Sequence, residues 1–159
     1  MAEKVDFFND IRNGNLERVK KTLDNIPDLL HAIDDRGSTP LLLATYYGHI
    51  DVTKYLLDLG AKVDAKDSSG NTALMGVCFK GYEKIVALLV NAGANVNHVN
   101  SMGATSLIYA ASFNKIGIAK ILLENGADIN TKDARGNTAL ENAKMQDAKE
   151  MVELLQQYC

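Results

Sequence analysis

The stretch GSTPLLLATYYGHIDVTKYLLDLGA, residues 37–61, decides the fold of this chain. Its first twelve residues carry no charge, and the remainder mixes charged with apolar side chains before it ends at a Gly-Ala pair. Apolar residues three and four positions apart are typical of amphipathic helices. Two short helices of this kind cannot bury their apolar faces by themselves, so the rest of the sequence must cover them.

The rest of the sequence contains near copies of the same stretch, and these can bury the apolar faces. A glycine in a short turn that begins with Asp or Asn returns every 33 residues (37 to 70, 70 to 103 and 103 to 136), at Gly37, Gly70, Gly103 and Gly136. The Gly-Ala pair keeps the same interval and begins at Gly60, Gly93 and Gly126. A strict interval of this length indicates an array of stacked repeats.

Each repeat is predicted to form a turn, a helix, a second turn and a second helix. A threonine lies where the first helix needs an N-cap, at Thr39, Thr72, Thr105 and Thr138. Pro40 takes the first helical position, where its missing N–H is tolerated. The first helix is expected to end near Gly48, Gly81 or Asn114, residue types that accept a left-handed backbone. The second helix is expected to end at the Gly-Ala pair.

Helices of about ten residues are marginal in isolation, which explains why the pattern must repeat. We therefore predict an all-α solenoid of stacked helix-turn-helix units with short β-hairpin-like fingers. Residues 34–66, 67–99 and 100–132 are expected to be internal repeats, and residues 1–33 and 133–159 to be capping repeats. Polar residues such as Arg18, Lys21 and Glu141 replace apolar ones in these caps. The array is expected to be complete.

The order D-x-x-G-x-T-P-L, helix, G-H, second helix and L-L-x-x-G-A resembles the ankyrin repeat, and residues 37–65 are the closest copy. The resemblance covers about the whole chain. It implies an ankyrin-repeat solenoid that binds another protein as an adaptor, inhibitor or immunity-type partner. The usual histidine after T-P-L is replaced, by Leu42, Met75, Ile108 and Glu141, so its bonds between neighbouring turns are not expected. Gly76 inside a predicted helix is expected to weaken its repeat.

The composition of the 159 residues narrows the class of partner. A net charge of −3 argues against nucleic acid, because phosphate binding needs a basic face. No apolar run approaches the ~18 residues of a membrane span, and the N-terminus has no signal-peptide pattern. The only cysteines, Cys78 and Cys159, are far apart, which fits a reducing compartment. We expect a cytoplasmic protein (nuclear if its source is eukaryotic) with no nucleic-acid or membrane partner.

Residues that could bind a metal or perform catalysis are scattered along the sequence. The three histidines have no partner at metal-ligand spacing: His31, His49 and His98. Cys78 lies at a buried helix position and is expected to act as a small hydrophobic residue. Asp34 and Asp35 lie at a finger turn and are expected to form a solvated face. No cofactor, metal or catalytic residue is predicted.

The resemblance also implies where a partner would bind. In the family, the two residues before the first helix-breaking position face the concave side, beside the finger tips. The predicted partner-binding residues are Asp35, Arg36, Tyr46, Tyr47, Ser69, Phe79, Lys80, Met102, Phe113, Arg135 and Met145. Aromatic residues, Met and Arg are enriched at binding surfaces. An alternative role for Tyr46 and Phe79, and also for Tyr47 and Phe113, is to fill gaps between stacked helices.

The predicted function is therefore non-catalytic binding of another protein through the concave face, by a chain that is monomeric when free. One alternative is a homo-oligomer that buries the same apolar residues. An enzyme or small-molecule binder is disfavoured by the lack of clustered His, Cys, Glu or Lys. The exterior of the second helices is an alternative contact surface, with mixed charges at Asp51, Lys54, Asp58, Lys84, Asn91 and Glu124.

Overall fold

The computed structural model describes residues 2–159. Within them the chain forms five pairs of α-helices, and β-structure is limited to an isolated bridge between Lys66 and Thr72. The prediction of an all-α solenoid with short fingers is confirmed. The helices are α1 (Ala2–Asn13), α2 (Leu16–Asn25), α3 (Pro40–Tyr46), α4 (Ile50–Asp58), α5 (Ala73–Lys80), α6 (Glu83–Asn91), α7 (Ser106–Ser112), α8 (Ile116–Glu124), α9 (Ala139–Met145) and α10 (Lys149–Gln156), with a 3-10 helix at Pro27–His31. The boundaries drawn between repeats stay a prediction.

Threonine caps fix the start of the first helix in four of the pairs. All four predicted N-caps accept a hydrogen bond from a backbone N–H three residues later: Thr39, Thr72, Thr105 and Thr138. The last of these also forms a capping box, because Glu141 Oε2 accepts the N–H of Thr138 at 2.8 Å. Each cap satisfies a backbone donor that the helix itself leaves without a partner.

A left-handed residue ends the first helix of these pairs, as predicted. The φ angles are 78° at Gly48, 83° at Gly81 and 54° at Asn114. Asp147, which the sequence analysis did not single out, takes the fourth such position with a φ of 53°. Asparagine and aspartate adopt this conformation more readily than other side chains with a β-carbon.

The ten helices form two layers with a continuous apolar core. The first helices pack on one another in the order α1, α3, α5, α7 and α9, and the second helices α2, α4, α6, α8 and α10 pack along their outer side. All five pairs contribute large side chains that are fully buried: Phe7, Ile11, Leu56, Leu74, Met75, Ile85, Leu89, Leu107, Ile118, Leu122, Met151 and Leu155. Each pair thus covers the apolar face of the next, which is the reason for the 33-residue repetition.

The finger turns are held by a repeated pattern of side-chain hydrogen bonds. Asp34 Oδ1 accepts the N–H groups of Arg36 and Ser38, both at 2.9 Å, and equivalent bonds form at Asp67, Asn100 and Asp133. Neighbouring fingers are also joined, although the expected family histidine is absent. Ser68 Oγ donates to the carbonyl of Arg36 at 3.1 Å. Other polar groups therefore link the fingers in place of that histidine.

The expectation of a solvated face at Asp34 and Asp35 is wrong for Asp34. Its carboxylate pairs with the Arg12 guanidinium at 2.9 Å, and its side chain is only 8% exposed. Asp35 beside it is exposed. The ring of His49 lies 2.7 Å from the carbonyl oxygen of Arg12, within hydrogen-bonding distance. Both contacts join α1 to later parts of the chain.

Candidate functional site

A cavity lies between the inner helices α3, α5 and α7 and the finger tips that precede α3 and α5. Its volume is about 570 Å³. The lining residues are Arg36, Ser38, Leu42, Leu43, Tyr46, Tyr47, Asp67, Ser68, Ser69, Asn71, Thr72, Ala73, Met75, Gly76, Phe79, Tyr109 and Phe113. We call this cavity the groove. Six of the eleven predicted partner-binding residues line it: Arg36, Tyr46, Tyr47, Ser69, Phe79 and Phe113.

Aromatic rings form the most exposed apolar surface of the groove. Phe79 and Phe113 pack edge to face with their centroids 4.7 Å apart, although they come from different helix pairs. Tyr46 and Tyr47 form a second edge-to-face pair at 5.5 Å. Tyr47, Phe79 and Phe113 are each 45% exposed. The rings pack in these two pairs, and each of the three keeps nearly half of its surface exposed.

Two cations lie in or beside the groove. The Lys80 ammonium is 4.9 Å from the centroid of the Tyr46 ring, close enough for a cation–π interaction. Arg36 lines the groove at a finger tip and is exposed. Among residues 2–159, no carboxylate lies within ion-pair distance of either cation.

The acidic residue in the groove, Asp67, is engaged by its own turn. Its Oδ1 accepts the N–H groups of Ser69 and Asn71 at 2.9 Å, and its Oδ2 accepts the side-chain amide of Asn71 at 3.5 Å. These donors are neutral, so the carboxylate keeps its negative charge, and its Oδ2 has acceptor capacity left for a further donor. The lining of the groove therefore carries one cationic donor, Arg36, and one anionic acceptor, Asp67.

The floor of the groove includes Gly76, in the middle of α5. A β-carbon at this position would meet only Tyr46 Cδ2 within 4 Å, at 3.8 Å, which is an ordinary van der Waals distance. Sequence reasoning treated Gly76 as a weak point in a helix and did not place it at the site. The folded structure places Gly76 in the groove, beside the Tyr46 ring of α3.

The other five predicted partner-binding residues lie outside the groove but are exposed: Asp35, Lys80, Met102, Arg135 and Met145. Asp35 lines a smaller cavity of about 260 Å³ that also contains Val5 and Arg12. Met145 Sδ accepts a weak hydrogen bond from the side-chain amide of Asn137 at 4.0 Å. The structure thus places six of the predicted residues in one cavity and the other five at exposed positions outside it.

Tyr109 is a groove residue that the sequence analysis missed. Its ring stacks on Phe113 at 6.5 Å, and its hydroxyl accepts a hydrogen bond from Asn100 Nδ2 at 2.9 Å. The same amide donates to Asn71 Oδ1 at 2.8 Å. The spacing of four between Tyr109 and Phe113 on one helix face was the available signal.

Groups that often carry chemistry are held in structural roles. Cys78 is fully buried, and this burial raises the pKa of its thiol to about 12. His98 Nε2 lies 2.9 Å from the carbonyl oxygen of Gly70. Within residues 2–159, no three His, Cys, Asp or Glu side chains are grouped so that they could hold a metal ion. None of the helices in that part of the chain is long and apolar enough to cross a membrane.

The helix pairs repeat at a 33-residue interval and stack, which defines a helical repeat solenoid. The exposed rings in the groove beside the fingers give this solenoid a surface suited to binding. The chain belongs to the ankyrin-repeat family. The family pattern described as "Ankyrin repeats (3 copies)" matches residues 8–100, 59–133 and 93–159. Ankyrin repeats are generally non-catalytic modules of protein–protein interaction.

Individual relatives share only a segment of this array. The chain is 42% identical over 62 residues to "Protein fem-1 homolog C" of Xenopus laevis, which is 36% of this chain and 10% of that protein. It is 48% identical over 48 residues to "Serine/threonine-protein kinase VIK" of Arabidopsis thaliana, covering 30% of this chain and 11% of the kinase. It is 32% identical over 61 residues to mouse "Ankyrin repeat and SAM domain-containing protein 6", and the match covers 38% of this chain and 7% of that protein. The matches span about a tenth of the relatives' lengths.

Proposed function

We propose that this chain is a non-catalytic binding module that holds a partner protein in the groove and on the finger tips beside it. The observation that carries the proposal is the half exposure of Tyr47, Phe79 and Phe113 at the ends of helices whose aliphatic residues are buried. Rings that only filled gaps between helices would be covered. Aromatic rings that are held rigidly and partly exposed are the residues that most often dominate protein interfaces.

The proposed contact surface comprises all eleven residues predicted from the sequence. Arg36, Tyr46, Tyr47, Ser69, Phe79 and Phe113 form its centre, and Asp35, Lys80, Met102, Arg135 and Met145 extend it on either side. Met102 and Met145 are 61% and 58% exposed, and flexible thioethers adapt to a partner's shape. An adaptor, an inhibitor and an immunity-type protein would all use such a surface.

We also propose that the free chain is a monomer in a cytoplasmic or nuclear compartment. The two unpaired cysteines, one of them exposed, support a reducing environment. The competing homo-oligomer would bury the same rings against a second copy. Light scattering at increasing protein concentration distinguishes the two, because only self-association raises the measured mass, and the triple variant described next would abolish that rise.

The test is a triple substitution, Tyr47→Ser, Phe79→Ser and Phe113→Ser. Partners are captured by crosslinking from a lysate of the source organism, identified, and then titrated against wild type and variant. Hot-spot truncations cost about 2 kcal/mol or more each, so binding should weaken by well over ~100-fold. A denaturant melt of the same variant should show a stability close to that of wild type, because the rings are already half exposed.

The matched control uses apolar residues of similar exposure outside the groove. Ile33, Leu59 and Val99 are 54%, 45% and 45% exposed, and their replacement by Ser should leave binding unchanged. Unfolding of the groove variant would show that the rings are needed for packing. Unchanged binding by a folded groove variant would move the interface to another face, such as the exterior of the second helices.

A further inference from the structure

The methionines of the described chain fall into two classes of exposure. Met75 and Met151 are buried, with 1% and 0% of their surface exposed, whereas Met102 and Met145 are 61% and 58% exposed. Oxidation of a thioether to a sulfoxide requires contact between the sulfur and the oxidant. The fold therefore shields the first two residues from oxidants and leaves the other two open to them.

The two exposed methionines differ in the surroundings of their sulfur atoms. Met145 is the last residue of α9, and Asn137 lies directly before the threonine cap of the same helix. The side-chain amide nitrogen of Asn137 is 4.0 Å from Met145 Sδ. Long side chains on a helix point back toward its N-terminus, which brings the sulfur to this amide. Among residues 2–159, no such donor meets the sulfur of Met102, whose hydrogen bonds are made by its backbone.

The gap between this amide and the sulfur suits an oxygen atom. A thioether sulfur is only a weak acceptor, and the 4.0 Å separation is long for a hydrogen bond to it. A sulfoxide oxygen projects from the sulfur, and an N–H···O hydrogen bond needs only about 2.7–3.2 Å between donor and acceptor. An oxygen on the side of Met145 Sδ that faces Asn137 would therefore lie between the two atoms and accept a stronger hydrogen bond.

The donor is held in position by the last finger turn. The backbone N–H of Asn137 donates to Asp133 Oδ1 at 3.0 Å, and its carbonyl accepts the N–H of Asp133 at 2.9 Å. The amide thus approaches the sulfur of Met145 from one side. The two lone pairs of this sulfur are therefore in different surroundings.

We propose that Met145 is a site of reversible oxidation by hydroperoxides, and that Asn137 directs the new oxygen to one side of its sulfur. A sulfur lone pair attacks one peroxide oxygen and the O–O bond breaks. The proton of the transferred oxygen passes to the departing oxygen, which leaves hydrogen peroxide as water. The sulfur is oxidised by two electrons and the peroxide is reduced by two. The product is a polar, chiral sulfoxide, and the site does not depend on the proposed binding of a partner.

The expected signature is stereochemical. Met102 should give the two sulfoxide epimers in similar amounts, because no donor distinguishes its lone pairs. Met145 should give one epimer in excess by roughly threefold or more, a ratio within reach of a single hydrogen bond. Exposure alone would not produce this difference, since the two residues are similarly exposed.

The experiment treats the native chain with dilute hydrogen peroxide for a limited time, then quenches and denatures it. Separate portions receive one of the two classes of methionine sulfoxide reductase, each of which reduces a single epimer. Trypsin cleaves after Lys and Arg and places Met75, Met102, Met145 and Met151 in separate peptides, residues 67–80, 85–115, 145–149 and 150–159. Mass spectrometry then gives the extent of oxidation and the epimer ratio at each site.

Two variants of the donor complete the test. Asn137→Ala removes the amide, and alanine already takes the equivalent place in the preceding finger, at Ala104, where the backbone makes the same turn bonds. Asn137→Asp keeps the shape of the side chain but replaces the donor by an acceptor. In both variants the epimer ratio at Met145 should fall to about that at Met102, whose own ratio should not change.

The proposal is overturned if Met145 is oxidised no faster than Met75 and Met151, or if its two epimers form in equal amounts. It is also overturned if the excess of one epimer survives both substitutions of Asn137, because the amide would then have no part in it.

Discussion

Cys78 and Cys159 carry the same thiol in opposite surroundings. Cys78 is fully buried, and desolvation raises its pKa to about 12, so almost none of it is thiolate near neutral pH. Cys159 is exposed at the end of the chain. At pH 8, a colorimetric thiol reagent should therefore react with one thiol per native chain and with two after denaturation. A second thiol that reacts as fast as the first in the native protein would contradict the packing around α5.

A second residue-scale effect concerns acid stability at Asp133. Burial is the largest single influence on its pKa and raises it, but hydrogen bonds from Asn137, Asn142 and Arg135 together lower the pKa below its usual value of 3.8. A carboxyl whose folded-state pKa is lowered stabilises the fold above its unfolded-state pKa. That contribution is lost as the pH falls from about 4 through the folded-state pKa.

Asp133→Asn should accordingly reduce the acid sensitivity of stability between about pH 4 and pH 2, while the turn is kept. Asn100 shows that an amide oxygen can serve this turn, because its Oδ1 accepts the N–H groups of Met102 and Ala104 at 3.0 Å. Denaturant melts across this pH range measure the effect. A variant whose stability falls with acid as steeply as that of wild type would show that Asp133 adds nothing to the pH dependence.

At the scale of elements, the helix ends were predictable because their causes are local. A threonine cap and a left-handed residue each act within about four positions of the helix end that they fix. Thr72 therefore marked the start of α5, and Gly81 its end, from the sequence alone. Asn114 could be placed in the same role because its residue type tolerates the required backbone.

Contacts between elements could not be predicted in the same way. Asp34 meets Arg12 across 22 positions, and no periodic pattern in the sequence marks this pair. Gly76 lines the groove beside Tyr46 of α3, whereas its residue type alone indicated only a weak helix. The constant 33-residue interval indicated which side chains occupy equivalent positions in successive repeats. The distances between those side chains could be read only from the packed structure.

The whole molecule is stabilised by contacts between successive helix pairs. The first helix of each pair packs on that of the next, and the second helices do the same along α2, α4, α6, α8 and α10. In such a quasi-linear array, the free energy of unfolding is approximately a sum of repeat stabilities and nearest-neighbour contacts. Damage at one repeat should therefore spread first to its neighbours. The molecule can then unfold in part, and a single melting midpoint need not describe it.

Leu107→Ala tests this behaviour, since Leu107 is 1% exposed in α7, next to the C-terminal pair. The substitution should cost about 2–5 kcal/mol through lost burial and the cavity left behind. Hydrogen exchange should show the largest loss of protection in α7–α10, with α1–α4 closer to wild type, because coupling passes through neighbouring pairs. Leu59→Ala at a 45% exposed position is the control and should change stability by no more than about 0.5 kcal/mol. Equal loss of protection in all ten helices would instead show that the array unfolds as one cooperative unit, and no change at all would remove Leu107 from the core.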